Sequence, residues 1–221
     1  SSTAATHRAT ARTAATRERH RDAPRRGDAF RVLFVGSVEP RKNLLRLLRA
    51  IRGIPGVRVD VYGDDSVRPR YARRVRRLAA AAGEVGDGAS VTVHGRVSDA
   101  ELEEAYAAAD CLAVPSIYEG FGIVYLEALR HGLPVVATRR GGAAEIVTPD
   151  VGILVAPRRT REIRRGIRRL VEAKRETGTE GDRSTAYRPE AARRRAASFP
   201  TWEESMDGAV RFFEAIYRHA A

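Results

Sequence analysis

From Phe30 onward, short β-branched apolar runs alternate with segments whose apolar residues recur at helical spacing. Phe30–Val35, Val57–Tyr62, Val91–His94, Cys111–Pro115, Val135–Ala137 and Gly152–Val155 read as buried strands. Gly36, Gly63 and Gly95 close the first three. Between them, leucines at 44, 45, 47 and 48 predict a helix over Asn43–Ile51. Val75 and Leu78 mark the inner face of a helix over Tyr71–Ala82. Ser98 with Glu101 forms a capping box ahead of Ala100–Ala109. Gly122–Arg130 is helical and stopped by Gly132 and Pro134, and Ala143–Val147 is a short helix. Ile163, Ile167, Leu170 and Val171 stripe another helix, with Arg164, Arg165, Arg168 and Arg169 as its solvated face. The chain closes on Phe199–Tyr217, where Trp202, Met206, Val210, Phe213 and Tyr217 stand at helical spacing.

Strands alternating with helices predict the α/β class: a doubly wound, Rossmann-like parallel sheet covered on both faces. Ligands of such sheets bind beyond the carboxyl ends of the strands, where the strand order reverses. Residues 1–28 hold no large apolar side chain and read as a disordered or linker tail. Residues 29–221 form the folded domain.

Composition adds exclusions. No apolar run is long enough to span a membrane, and the N-terminus has no secretory pattern. The chain starts at Ser1 rather than Met, so a fragment is expected. Cys111 is the single cysteine, which excludes an internal disulfide or a cysteine zinc site and suits a reducing cytoplasm. The net charge of +12 suggests anionic partners, but 38 of the 40 cations are arginine. That bias is compositional, and no nucleic-acid motif accompanies it, so no nucleic-acid partner is expected. Peripheral contact of the arginine faces with the inner membrane surface remains compatible with it.

Four loops after strands carry candidate chemistry. Gly36-Ser37 leads to Arg41 and Lys42 at a helix start, a cationic turn suited to a diphosphate. Ser116, Glu119, Gly120, Phe121, Gly122 and Ile123 open a helix that contains Glu127. The glycines admit a ligand close to the backbone, the helix start offers free amides, and two carboxylates bracket the turn. Gly141-Gly142 after the fifth strand is as readily a plain turn as a ligand loop. His94-Gly95-Arg96-Val97 could edge a base, although His94 reads better as a strand end.

In order and spacing, Phe34-Val35-Gly36-Ser37-Val38-Glu39-Pro40-Arg41-Lys42-Asn43-Leu44, Val93 to Ser98, Val114-Pro115-Ser116 through Glu119-Gly120-Phe121-Gly122 to Glu127-Ala128-Leu129, Gly132 to Ala137, and Gly141-Gly142 through Glu145-Ile146-Val147 resemble the C-terminal domain of the group 1 glycosyltransferases, family 4, of the GT-B fold. The resemblance implies retaining, metal-independent hexosyl transfer, with mannose one candidate, from a nucleoside-diphosphate sugar to a glycan or lipid-linked acceptor. The donor is the partner, and neither a cofactor nor a metal is implied. By the same match Glu119, Lys42 and Arg41 would be catalytic: Glu119 beside the sugar, Lys42 neutralising the leaving diphosphate. Gly36, Ser37, Arg96, Val97, Ser116, Gly120, Phe121, Gly122, Ile123, Gly141 and Gly142 would contact the donor, and Glu127 the ribose hydroxyls. Ser37 departs from the basic residue many members carry there, with Arg41 a candidate substitute. The N-terminal acceptor domain of the fold is expected outside this chain. A donor-binding module without activity of its own fits the same residues.

Overall fold

A computed structural model describes residues 29–83, 89–176, 187–200, 204, 207, 210 and 211. Its six strands are β1 (Phe30–Val35), β2 (Val57–Tyr62), β3 (Ser90–Gly95), β4 (Cys111–Val114), β5 (Val135–Thr138) and β6 (Gly152–Val155). They form one parallel sheet in the order β3-β2-β1-β4-β5-β6. The expected doubly wound architecture is present. The chain runs outward from β1 to β3 and then returns to the other side of β1. The switch point therefore lies between β1 and β4, where Val32 pairs with Cys111 and Leu33 with Leu112.

The helices are α1 (Leu44–Ile51), α2 (Pro69–Gly83), α3 (Asp99–Ala108), α4 (Ile123–Arg130), α5 (Ala143–Ile146), α6 (Thr160–Glu176) and α7 (Pro189–Ala197). Right-handed crossovers put helices reached in opposite directions on opposite faces. On one face α1 packs between α2 and α6; on the other α4 packs against α5 and α7. Phe34, Leu33, Leu112, Leu129 and Ile163 are among the largest fully buried side chains, and they join sheet to both layers. The capping box holds: Ser98 accepts from the Glu101 amide, and the Glu101 carboxylate accepts from the Ser98 amide at 2.9 Å. No described helix is long and apolar enough to cross a membrane.

Two readings need amendment. Helix α7 was not foreseen. Its only buried side chains are Ala192 and Ala196, so arginines hide its periodicity, although Pro189 at its first turn and Arg194 and Arg195 at its last are ordinary boundary signals. Arg164 is not merely solvated: its guanidinium donates to the carbonyls of Ala50 (2.9 Å) and Arg49 (3.3 Å), capping the end of α1 from α6. Of the closing helix, residues 204, 207, 210 and 211 are helical, and Val210, one of its regularly spaced apolar residues, is 51% exposed. Trp202, Met206, Phe213 and Tyr217 lie outside the described residues, as do residues 1–28.

Candidate functional site

The two loops that flank the switch point meet in an ion pair. After β1, Pro40–Lys42 forms a single 3-10 turn. Asn43 ends it in the left-handed conformation at φ 61°, a conformation that asparagine tolerates better than most residues. The buried Asn43 side chain donates to the Pro115 carbonyl (2.8 Å) and the Pro157 carbonyl (2.7 Å), fastening the turn to the ends of β4 and β6. Arg41 holds the same seam, its carbonyl accepting from the Ile117 amide at 2.7 Å. Thus placed, the Lys42 stem crosses Gly36, and its Nζ donates to Glu119 Oε2 at 2.8 Å. Ser116 Oγ donates to the same oxygen at 2.9 Å, and Arg41 stands 3.7 Å from Oε1.

Glu119 is only 8% exposed, so its charge needs these cations. Lys42 is as well covered as its partner, whereas Arg41 stays half exposed and also pairs with Glu39 at 3.0 Å. Ser37 donates to Glu39 at 3.1 Å. The result is a carboxylate whose position fixes an ammonium with two remaining N–H donors at the carboxyl edge of the sheet. Such a group can hold and neutralise an oxyanion.

The glycine loop beyond Glu119 is clamped by β5's loop. Glu119 and Gly141 form a parallel bridge, and the Gly142 amide is shared between the carbonyls of Glu119 (3.0 Å) and Gly120 (3.1 Å). A Cβ at Gly142 would stand 2.6 Å from the carbonyl oxygens of Gly120 and Phe121. The close approach that requires Gly141 and Gly142 is thus to this neighbouring backbone. Gly122, at φ 89°, caps α4 without any side-chain bond. The ring of Tyr125 fills the place of its missing Cβ, and the Tyr125 hydroxyl donates to Val114 O at 2.8 Å. Burial pushes that phenol's pKa well up, so it remains a donor. Phe121 and Ile123 are 58% and 55% exposed at this tip, apolar surface free for contact.

Glu127 is not part of the ion pair. Half-buried on α4, it accepts a hydrogen bond from the Tyr106 hydroxyl at 2.8 Å. Arg96 and Val97 also lie apart from it. Arg96 pairs with Asp64 at 3.0 Å, and the Asp64 carbonyl accepts from the Val38 amide at 2.8 Å, so the β3 loop reaches the cationic turn through β2's loop. Hydrogen bonds from Ser66, then the Arg96 charge, hold the Asp64 carboxyl below its usual range. His94, at the end of β3, bonds Asp60 at 2.8 Å and stacks on Tyr62. Sequence reasoning assigned no role to Asn43, Asp64 or Tyr106. An asparagine between a cationic turn and a leucine-rich helix was the one available signal for a left-handed residue.

The strand order and this edge define a Rossmann-like domain of the GT-B type, with its candidate site at the switch point. Residues 16–186 match the glycosyl transferases group 1, and the chain belongs to that family. Over 130 residues it is 42% identical to a D-inositol 3-phosphate glycosyltransferase of Xylanimonas cellulosilytica, an alignment covering 58% of this chain and 30% of that protein. Sucrose-phosphate synthase from Thermosynechococcus elongatus superimposes with a TM-score of 0.73 at 28% identity, over 87% of this chain and 47% of that one. Anabaena HepE in complex with UDP-glucose superimposes with a TM-score of 0.60 at 26% identity, over 77% and 48%. The chain thus spans less than half the length of these proteins.

Proposed function

We propose that this chain is the donor-binding half of a retaining hexosyltransferase that uses a nucleoside-diphosphate sugar. The single observation that carries the reading is the Lys42–Glu119 pair at the switch point. A diphosphate seated there meets the Lys42 ammonium and the Arg41 fork, groups suited to the charge that grows as the sugar leaves. Glu119 orients Lys42 and faces the transferred sugar, while the first-turn amides of α4 and its carboxylate Glu127 receive phosphate and ribose oxygens. The ligand of HepE, UDP-glucose, supports this class of donor. An N-terminal half supplies the acceptor site.

Calorimetric titration with GDP-mannose and UDP-glucose tests the site. Lys42→Ala and Glu127→Ala should each weaken donor binding by about 1–3 kcal/mol, the range for losing a charge-assisted hydrogen bond. Unchanged affinity in both variants would remove the site. Turnover by the chain with an N-terminal half, and none without it, separates an enzyme half from a module that only binds.

The same enzyme would meet an anionic membrane surface through its α1–α2 side. Helix α2 carries five arginines and no acid, whereas α3 in the opposite layer carries four acids and no base. Arg49, Arg74 and Arg77 rim a groove of about 240 Å³ floored by Leu45, Leu78 and Ala81. Among the described residues these three guanidiniums have no carboxylate partner. Arginine-rimmed apolar grooves suit lipid phosphates with the chains beginning beneath them. Vesicles containing an anionic phospholipid should sediment the chain at low salt and release it at high salt. Failure to sediment at low salt overturns this contact.

A further inference from the structure

Glu127 has a partner whose construction exceeds what packing requires. Tyr106 is 2% exposed and lies on α3, 21 residues away from Glu127 in sequence. Its ring stacks on His131, the residue that caps α4, with centroids 4.9 Å apart and planes within 9°. His131 Nε2 in turn stands 3.3 Å from Glu103 on the exposed face of α3. Ring and histidine thus fix the phenol between α3 and α4, and its hydroxyl has one direction left, toward Glu127 Oε2. Among the described residues, nothing else bonds to that carboxylate.

A neutral donor on one carboxylate oxygen differs from a cation there. It holds the group's orientation without cancelling its charge, so the other oxygen keeps its strength as an acceptor of hydroxyl protons. We infer that Tyr106 is a positioning residue that aims Glu127 Oε1 at the vicinal hydroxyls of the donor's ribose, and so makes the site select ribo- over 2′-deoxyribonucleotides. This inference rests on the donor-site reading above. Burial, and then the Glu127 charge beside it, push the phenol's pKa far up, which favours the protonated, donating hydroxyl.

The test compares UDP and GDP with 2′-deoxy-UDP and 2′-deoxy-GDP on the full chain, by calorimetry, using the base that wild type binds more tightly. Tyr106→Phe keeps the ring on His131 and removes only the hydroxyl. Wild type should prefer the ribonucleotide roughly tenfold, the value of one hydrogen bond to a charged group. Glu127→Ala should abolish the preference. Tyr106→Phe should reduce it roughly threefold or more, weakening the ribonucleotide more than the deoxynucleotide, which offers Glu127 its 3′-hydroxyl alone. Should Tyr106→Phe keep the full preference while Glu127→Ala loses it, the positioning role is wrong and the ribose role of Glu127 stands. Equal weakening of both nucleotides by Tyr106→Phe would mark a merely structural hydroxyl and also overturn the inference. A preference retained in Glu127→Ala, or no binding of either nucleotide by wild type, would instead sink the underlying site reading.

Discussion

Glu119 and Glu127 stand eight residues apart on one loop and helix, yet they are solvated by opposite means. Glu119 is 8% exposed and surrounded by positive charge: Lys42 at 2.8 Å, Arg41 at 3.7 Å, with Ser116 completing its shell. Glu127 is half-buried and held by a neutral phenol. A carboxylate locked to cations is a fixed support. Its own charge is spent, and its effect is to place an ammonium at the sheet edge. A carboxylate braced by a phenol keeps its charge for a ligand. Under the donor-site proposal, the two acids that the sequence presents as a symmetrical pair divide the work, one organising cation and sugar, the other accepting hydroxyls.

The sharpest way to break that comparison is to delete each carboxylate and measure stability. Glu119→Ala leaves Lys42 in a covered position without its anion, and breaking such a pair costs about 3–5 kcal/mol. Glu127→Ala leaves only the Tyr106 hydroxyl unpaired, at about 1–3 kcal/mol. Urea denaturation of the two variants should rank them in that order. Equal losses would mean that Glu119 is solvated much as Glu127 is, and that the contrast is wrong. Glu119→Gln separates charge from shape: it retains an acceptor for Ser116 and Lys42 and should fall between wild type and Glu119→Ala.

How far this division was legible in the chain follows from the physics of each signal. Strands such as Val32–Phe34 or Cys111–Val114 are buried on both faces, so their apolar runs are continuous and they stood out. The glycines and acids of the loop after β4 stood out because strand ends punctuate an α/β sequence. Helix α7 did not, because two alanines are all it buries. What Lys42 touches could not be read at all, since 77 residues separate it from Glu119 and only the topology brings them together. Gly141 and Gly142 show the converse. Their need for a bare backbone was legible, but the thing approached, the carbonyl row from Glu119 to Phe121, belongs to another loop. Tyr106 resembled any inward-facing aromatic of an amphipathic helix, and nothing local announces that its hydroxyl ends on a carboxylate.

The smaller test sharpens the other half of the comparison, the neutrality of the Glu127 brace. The Tyr106 phenol has its pKa raised in the folded state, by burial first and by Glu127 second. A raised acid favours folding fully below its unfolded value, near 10 for tyrosine, and that advantage is lost as pH rises above it. Above that point the unfolded chain releases a proton that the native Tyr106 retains. One such group steepens the loss of stability by at most about 1.4 kcal/mol per pH unit. Tyr106→Phe removes this contribution, so its stability should fall less steeply than that of wild type above pH ~10, whereas near neutrality the variant is the weaker of the two. Parallel alkaline slopes for the two proteins would mean that the native phenol ionises as readily as a free one. The brace would then carry charge of its own, and the distinction drawn between the two carboxylates would fail at Glu127.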